Sequence, residues 1–114
     1  MSSITTHVLD LSVGGPAKGM AVQLEVHRAE RGWVELAERR TDANGRVLDL
    51  LPAGGALDAG HYRLTFETYE YFRAQGETAF FPEVQITFEI RDPGQHYHVP
   101  LLLSPYGYST YRGS

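Results

Sequence analysis

The 114 residues predict an all-β fold, an eight-stranded antiparallel sandwich of two sheets with one short helix after the fifth strand. Apolar and polar side chains alternate in most segments, which is typical of strands with one buried face. Glycine, proline, aspartate or asparagine interrupts the alternation at regular intervals, which favours short turns between strands. One stretch departs from the two-residue period in the manner of a helix. Since the sequence shows no repeats, low-complexity tracts or linkers, we expect a single domain over 1–114.

The first half of the chain contains four segments with strand-like alternation, over 5–11, 21–29, 33–41 and 46–50. In the first segment, alternation places His7 and Leu9 on one face and Val8 and Asp10 on the other. The next two segments have one apolar face and turn polar or charged side chains outward, as half-buried strands do. A tight Asp-Ala-Asn-Gly turn over 42–45 then places Arg46 at the start of the fourth segment.

The second half predicts the helix and four more strands. A loop covers 52–60, and the strands cover 61–68, 83–90, 96–103 and 106–114. Between them, Thr68 to Gln75 breaks the alternation, with Thr68 suited to cap a helix and Gly76 suited to end one. A helix of about two turns is too short to be stable alone. We therefore expect it to pack through Tyr69, Phe72 or both.

The composition weighs against several functional classes. A formal net charge of −4 with 21% charged residues offers no concentrated basic face for nucleic acid. The sequence has no cysteine, so it can form neither a disulfide framework nor a thiolate site. No apolar run approaches the ~20 residues of a membrane helix, and the first residues lack the pattern of a signal peptide. We expect a cytoplasmic protein that does not contact membranes.

The last nineteen residues, 96–114, are the part of the chain around which the functional interpretation is built. Alternation puts His96 and His98 on one surface of a strand, and Tyr97 and Val99 on the other. The tail over 106–114 contains three tyrosines and an arginine, although chain termini are usually polar and frayed. This composition indicates a packed tail that completes a sheet, lines a site, or does both.

Four motifs together resemble one protein family. They are HVLD over 7–10, TDANGR over 41–46, FFPE over 80–83 and HYHVPLLLSPYGYSTYRGS over 96–114. They resemble the 5-hydroxyisourate hydrolase branch of the transthyretin family over essentially the whole chain, and the YRGS sequence is the most diagnostic piece. The resemblance implies a transthyretin-like (prealbumin-like) sandwich. It also implies a homotetramer around a central channel, with paired sites at each opening, at the dimer–dimer interface.

The family's reaction is the opening of 5-hydroxyisourate in urate degradation, a part of purine metabolism. Water adds to the activated ring carbonyl and the six-membered ring opens, which gives 2-oxo-4-hydroxy-4-carboxy-5-ureidoimidazoline. The family uses no metal and no organic cofactor, so the resemblance implies none for this chain. The partners that it implies are the small-molecule substrate and three further copies of the chain, with no nucleic acid and no membrane.

The resemblance also implies functional residues by motif position. The catalytic residues are His7, Arg46 and His98, and the substrate-binding residues are Tyr111, Arg112, Gly113 and Ser114. Each of the catalytic positions and Ser114 holds the family's residue here. The resemblance therefore implies an active enzyme.

The chemistry of these residue types suits hydrolysis of a cyclic amide, which needs a base for water, a cation for the oxyanion and an acid for the leaving nitrogen. We assign His98 as the base, His7 as its acid–base partner and Arg46 as the electrostatic clamp. The division of roles between the two histidines stays open. Ser114 would bind substrate or orient the water. A bulky Tyr111 is expected to close the channel to a shallow cleft that suits a small purine product.

Two other interpretations remain open. One is a transthyretin-like carrier that binds a small aromatic ligand in the channel without turnover, and the other is a sandwich used only for protein contacts. A carrier has no need of an acid–base pair, and a contact module predicts that the polar groups do not converge. Single histidines on strands usually have no chemical role, which is the interpretation for His27 and His61. The His96-x-His98 pair is only weak support for a metal site, because two ligands at strand spacing lack the rest of a coordination shell.

Overall fold

The computed structural model of the chain describes residues 3–51 and 57–114, which form two packed sheets and a helix. The strands, in chain order, are β1 (Ser3–Asp10), β2 (Gly15–Pro16), β3 (Ala21–Arg28), β4 (Gly32–Arg40), β5 (Arg46–Val47), β6 (Gly60–Phe66), β7 (Val84–Ile90), β8 (His96–Ser104) and β9 (Gly107–Thr110). Helix α1 (Thr68–Arg73) follows β6. The predicted β-sandwich with a short helix is confirmed.

The two sheets differ in their strand directions. The first sheet has the order β2-β1-β8-β9, with β5 also paired to β1, and the second has the order β4-β3-β6-β7. The second sheet is antiparallel throughout. In the first, β1 and β8 run parallel, from Ser3 opposite His96 to Asp10 opposite Leu103. The sequence predicts antiparallel strands, and the structure differs at this pair because alternation fixes the face of each residue but not the direction of its neighbour.

The core lies between the inner faces of the two sheets. The predicted alternation is confirmed in β3 and in β8, where every second side chain is buried. The completely buried apolar side chains include Val8, Val22, Leu24, Leu64, Phe66, Ile90 and Leu101. Burying a side chain of this size contributes roughly 1.5–3 kcal/mol to folding. This packing makes the sheets a rigid support for the residues on their outer faces.

Helix α1 packs onto the core through Phe72, which is completely buried, whereas Tyr69 is 45% exposed. Thr68 does not cap the helix as predicted, because its hydroxyl donates instead to the carbonyl of Phe81. Gly76 adopts a positive φ of 75° just after the helix, as predicted for a residue that ends one.

A buried carboxylate ties α1 to the first sheet. Asp10, the last residue of β1, is completely buried. The hydroxyl of Tyr71 on α1 donates to its Oδ2 at 2.7 Å, and the backbone N–H of Ser12 donates to its Oδ1 at 2.9 Å. Burial, reinforced by the hydrogen bond to Asp10, raises the pKa of Tyr71 to about 12, so this tyrosine stays a hydrogen-bond donor at neutral pH.

Several boundaries differ from those predicted. The two-residue strand β2 was not predicted, because two paired residues leave no alternation in the sequence. The fourth predicted strand shortens to Arg46–Val47 and the last to Gly107–Thr110, although Gly113 forms an isolated bridge with His98. The predicted loop over 52–60 lies partly outside the described residues.

Candidate active site

His7 and Arg46 face each other across two adjacent strands. The register pairs His7 of β1 with Arg46 of β5, and directly opposed residues of an antiparallel pair project from the same face. Val47, the next residue along, is buried in the core, so its neighbour Arg46 points outward. His7 is half-buried between the buried residues Thr6 and Val8. The two residues therefore share the outer surface of the first sheet.

A compact turn over 42–46 presents Arg46. Oδ1 of Asp42 accepts the backbone N–H groups of Asn44 at 2.8 Å and of Arg46 at 3.0 Å. These two hydrogen bonds lower the pKa of Asp42, and the charges of Arg46 and His7 act in the same direction. Gly45 adopts a φ of 75°, and its carbonyl accepts the N–H of Val8 at 2.7 Å. The turn is thereby attached to β1 beside His7.

His98 lies on the same outer face, on the other side of β1. It is opposite Thr5 in the parallel register, two positions before His7 along β1. Its Nδ1 is 2.8 Å from the Thr5 hydroxyl. Among residues 3–51 and 57–114, no side chain or backbone group hydrogen-bonds to its Nε2. The protein therefore fixes Nδ1 of His98 by a hydrogen bond, whereas Nε2 remains available to exchange a proton with a bound molecule.

The electrostatic surroundings keep His98 neutral. Burial lowers its pKa below the ordinary value of 6.5. Coulombic interaction with His96, His7 and Arg46 lowers the pKa of His98 further, and a backbone hydrogen bond with Thr5 acts in the opposite direction. A neutral imidazole at neutral pH is the form that can accept a proton from water.

The tail after β9 packs against His98. The N–H of Gly113 donates to the carbonyl of His98 at 2.8 Å. A Cβ atom on Gly113 would lie 2.6 Å from Cδ2 of the His98 ring and 3.3 Å from Cγ of Pro100, so only glycine fits there without displacing the ring. Ser114 follows directly and is exposed.

Tyr111 and Arg112, the other two predicted binding residues, differ in their contacts. Ser109 is opposite Leu102 and Gly113 is opposite His98, so Tyr111, at the same two-residue spacing, falls on the His98 face. Its side chain is 60% exposed. Arg112 instead lies with its guanidinium 4.6 Å from the centre of the Tyr97 ring and donates to Oε1 of Gln95 at 2.9 Å. Arg112 and Tyr111 also line a cavity together with His98.

A shallow hollow of about 650 Å³ opens on the outer face beside β1 and β5. Its lining residues are His7, Leu9, Pro16, Asp42, Asn44, Arg46 and Leu48. Leu48 is 61% exposed, so part of the floor is an apolar surface open to water. The hollow combines a cation, an imidazole and an apolar surface, which suits a small anionic molecule with an apolar part.

Similarity to known proteins agrees with this geometry. The model of the HIUase/Transthyretin family matches residues 4–113. The chain belongs to this family. The 5-hydroxyisourate hydrolase of Caulobacter vibrioides is 48% identical over 119 aligned positions, which cover 100% of both chains. The family membership that the motifs predict is therefore confirmed.

Two solved structures represent the two branches of the family. The 5-hydroxyisourate hydrolase of Klebsiella pneumoniae has a TM-score of 0.86 at 40% identity, and the match covers 100% of this chain and 94% of that one. Sea bream transthyretin in complex with thyroxine has a TM-score of 0.90 at 33% identity, covering 97% of this chain and 94% of that one. The fold is common to both branches, so the distinction between them depends on the residues of the site.

In the part of the chain that the structure describes, no group of three or more His, Cys, Asp or Glu is placed to hold a metal ion. No helix in the same residues is long and apolar enough to cross a bilayer.

Three residues near the site were not predicted to belong to it. Thr5 contacts His98, and Asp42 holds the turn that presents Arg46. The sequence signal for Asp42 was its Asx turn, which we interpreted as turn geometry alone. His96, expected at the subunit surface or beside the site, is exposed and stacks on His98 with ring centres 6.3 Å apart. Thr5 had no signal in the sequence, because its role follows from the parallel register of β1 and β8.

Proposed function

We propose that this single-domain chain is a 5-hydroxyisourate hydrolase. It would add water to 5-hydroxyisourate and open the six-membered ring to 2-oxo-4-hydroxy-4-carboxy-5-ureidoimidazoline. The observation that supports this most directly is the convergence of His7, Arg46 and His98 on one outer sheet face, with His98 held neutral. Hydrolases of this name are the curated relatives at 46–48% identity over nearly the whole chain, which favours the enzyme over the carrier.

In the proposed mechanism, Nε2 of His98 takes a proton from water, and the resulting hydroxide adds to the ring carbonyl. Arg46 stays cationic and stabilises the oxyanion that develops on that carbonyl. His7, opposite Arg46, acts as the acid–base partner that supplies a proton to the leaving ring nitrogen. Ser114 orients the water or the substrate. Every step of this mechanism uses only these four residues: His98, Arg46, His7 and Ser114.

The tail residues are proposed to form the substrate pocket. Gly113 permits close approach of the chain to the His98 ring. Tyr111, on the same face, would close the channel to a shallow cleft, and Ser114 would hydrogen-bond to the substrate. For Arg112 the proposal is that it supports the tail through Tyr97 and Gln95, and that its contact with substrate is indirect.

We also propose a homotetramer with the sites at the dimer–dimer interface. Leu48 in the hollow is a large apolar side chain that is 61% exposed in the single chain. A large apolar side chain exposed beside a site favours an interface. Analytical ultracentrifugation of the purified protein tests this, and a monomer at micromolar concentration would contradict it. The cytoplasmic location stays a prediction, which cell fractionation would test.

The decisive experiment follows freshly made 5-hydroxyisourate by its ultraviolet decay, with the purified protein and a chelator present. We expect acceleration by the wild type. Replacing His98 by Asn should lower kcat by about a hundredfold or more, since a positioned acid–base group contributes that much. His61→Gln, on the exposed face of the other sheet, is the matched control and should retain the wild-type rate. Decay at the uncatalysed rate, together with tight binding of an aromatic ligand, would instead support the carrier.

A further inference from the structure

Four side chains form a continuous hydrogen-bonded row on the outer face of the first sheet. Nδ1 of His98 is 2.8 Å from the Thr5 hydroxyl, and the same hydroxyl is 3.2 Å from Nε2 of His96. Nδ1 of His96 in turn contacts the hydroxyl of Ser3. The parallel register of β1 and β8 creates this row, because it sets Ser3 opposite His96 and Thr5 opposite His98.

The row runs from a protected position to solvent. Thr5 is 7% exposed, His98 is half-buried, and His96 is exposed. The two imidazole planes are nearly parallel, inclined by 13°. Thr5 and His96 each hydrogen-bond to two neighbours inside the row. His98 uses only its Nδ1 there, and its Nε2 has no hydrogen-bond partner among the described residues. Such an arrangement connects the candidate base to bulk water through one hydroxyl and one second imidazole.

The row has two consistent hydrogen-bond directions, because a threonine hydroxyl has a single proton and accepts elsewhere. In one direction His98 donates from Nδ1 to Thr5, Thr5 donates to His96, and His96 donates to Ser3. Nε2 of His98 then has a free lone pair and is a base. In the opposite direction every proton shifts by one position, and Nε2 of His98 has a proton and is an acid.

We propose that Thr5 and His96 are positioning residues that form a proton relay, by which His98 alternates between its two neutral tautomers during the reaction. This inference rests on the proposed function and adds two residues to it. Neither residue touches substrate in this proposal. They act through His98, by setting which of its ring nitrogens has the proton at each stage.

The protons balance over one turnover. Nε2 of His98 takes a proton from water, and the hydroxide adds to the carbonyl. The Nδ1 proton of His98 moves to Thr5, the Thr5 proton moves to Nε2 of His96, and the Nδ1 proton of His96 leaves to solvent through Ser3. When the ring C–N bond breaks, the Nε2 proton of His98 is available to the leaving nitrogen or to His7. A proton returning from solvent along the row restores the starting tautomer.

The surrounding charges favour a relay that keeps His98 neutral. The titratable groups that act on His98 are His96 on its own strand, His7 on β1 and Arg46 on β5. A carboxylate, Asp42, lies on the side of His7 and Arg46, and its Oδ1 accepts backbone N–H groups. An imidazolium at His98 would therefore lie beside a fixed guanidinium, and release of its second proton through Thr5 avoids that repulsion.

The test compares Thr5→Val, which keeps the shape of the side chain and removes the hydroxyl, with Thr5→Ser, which keeps the hydroxyl. We expect Thr5→Val to lower kcat by about tenfold to a hundredfold with little change in KM, as for a lost acid–base positioning contact. Thr5→Ser should restore kcat to within about threefold of the wild type. His96→Gln retains a hydrogen-bonding group toward Thr5 but cannot transfer a proton, so it should also lower kcat.

Two readouts separate a relay from a structural role. A proton inventory in mixed H₂O and D₂O should be curved for the wild type and linear for Thr5→Val and His96→Gln. Nitrogen-15 shifts of the His98 ring should show averaging between tautomers in the wild type and a single tautomer in Thr5→Val. Wild-type kcat and inventory in His96→Gln would overturn the relay, as would a Thr5→Ser protein as slow as Thr5→Val.

The failure of the relay and the failure of the proposed function give different results. If the wild type does not accelerate 5-hydroxyisourate decay, the hydrolase proposal fails, whereas the nitrogen-15 measurement needs no substrate. If the wild type and His98→Asn behave as proposed but the Thr5 and His96 variants match the wild type, only the relay fails. Should Thr5→Val not fold, the His96→Gln result decides, because His96 is exposed and its replacement leaves the core intact.

Discussion

The outer faces of the two sheets use similar residues in opposite ways. On the second sheet, Arg63 of β6 is directly opposite Glu25 of β3, and both its Nε and Nη2 lie 2.9 Å from the same carboxylate oxygen. Its guanidinium also lies 4.3 Å from the centre of the Trp33 ring. On the first sheet, Arg46 is opposite His7 instead, and in the described part of the chain it forms no ion pair.

This difference indicates that the outer face of the second sheet contributes to stability, whereas that of the first sheet is suited to a functional site. Glu25 neutralises the charge of Arg63, and Glu25 and Trp33 together stabilise the position of its guanidinium on the sheet. Arg46 has its backbone fixed by the turn, while its guanidinium faces a histidine and water. Placing a cation beside imidazoles disfavours their charged forms, which weakens folding slightly but prepares a site for an anion.

The largest expected effect on activity comes from replacing Arg46, the cation that lacks an ion-pair partner in the described residues. Arg46→Ala should lower kcat/KM by about a hundredfold or more, because it removes a preorganised charge from the developing oxyanion. Its free energy of unfolding should change by no more than about 0.5 kcal/mol, as for an exposed residue without partners. Ultraviolet decay assays and urea denaturation measure the two quantities. A stability loss equal to that of Arg63→Ala would remove the contrast between the faces.

The turn that presents Arg46 supplies the second prediction. A Cβ on Gly45 would lie 2.4 Å from the carbonyl oxygen of Val8, and the φ of Gly45 is 75°. Gly45→Ala should therefore destabilise the protein by about 2–3 kcal/mol, part from left-handed strain and part from the collision with β1. Gly76→Ala is the matched control, since Gly76 has the same φ of 75° and open space around it. Equal losses in the two variants would show that the close approach to β1 is unimportant.

Replacing Arg63, which is paired with Glu25, should lower stability and leave activity unchanged, the reverse of what we expect for Arg46. Arg63→Ala should lower the free energy of unfolding by about 1 kcal/mol, from a partly exposed ion pair and a cation–π contact. Its kcat should equal that of the wild type. A double-mutant cycle with Glu25→Ala, followed by urea denaturation, measures the coupling between the two side chains. A drop in kcat would mean that the two faces are not independent.

The smallest expected effect is a shift in pH dependence. Because burial and then neighbouring positive charge lower the pKa of His98, its neutral form persists below pH 6.5, and the acid limb of kcat/KM should lie below that value. The same sign applies to stability: protonation of His98 as pH falls through its lowered pKa removes stability that is present above 6.5. Arg46→Gln should raise the pKa of His98, which nitrogen-15 titration of the histidine ring would measure. An unchanged midpoint would show that Arg46 does not act on His98.

Much of the fold could be predicted from the sequence because alternation is a local signal. It separated His98 from Tyr97 and Val99 on the two faces of one strand, and the structure buries Tyr97 and Val99 but not His98. The turn at 42–45 also contained enough information to put Arg46 at the start of a strand.

The details of the site needed information that no local pattern contains. The parallel register that sets Thr5 against His98 joins distant segments, and antiparallel and parallel partners give the same alternation. Thr68 illustrates the same limit at the helix, since its hydroxyl suits a cap but bonds to Phe81 in the folded chain. The position of Arg112 over Tyr97 likewise depends on where the tail crosses β8, which spacing along the tail cannot reveal.

The pairing of β1 with β8 has a consequence for how the protein is made. Thr5 and His98 lie 93 positions apart, so a growing polypeptide on the ribosome cannot unite them until translation is nearly finished. Closing so long a loop is slow compared with forming the hairpins of the second sheet. Newly synthesised molecules should consequently gain their compact β3–β4 and β6–β7 hairpins first and their turnover last, which makes enzyme activity a sensitive reporter of complete maturation.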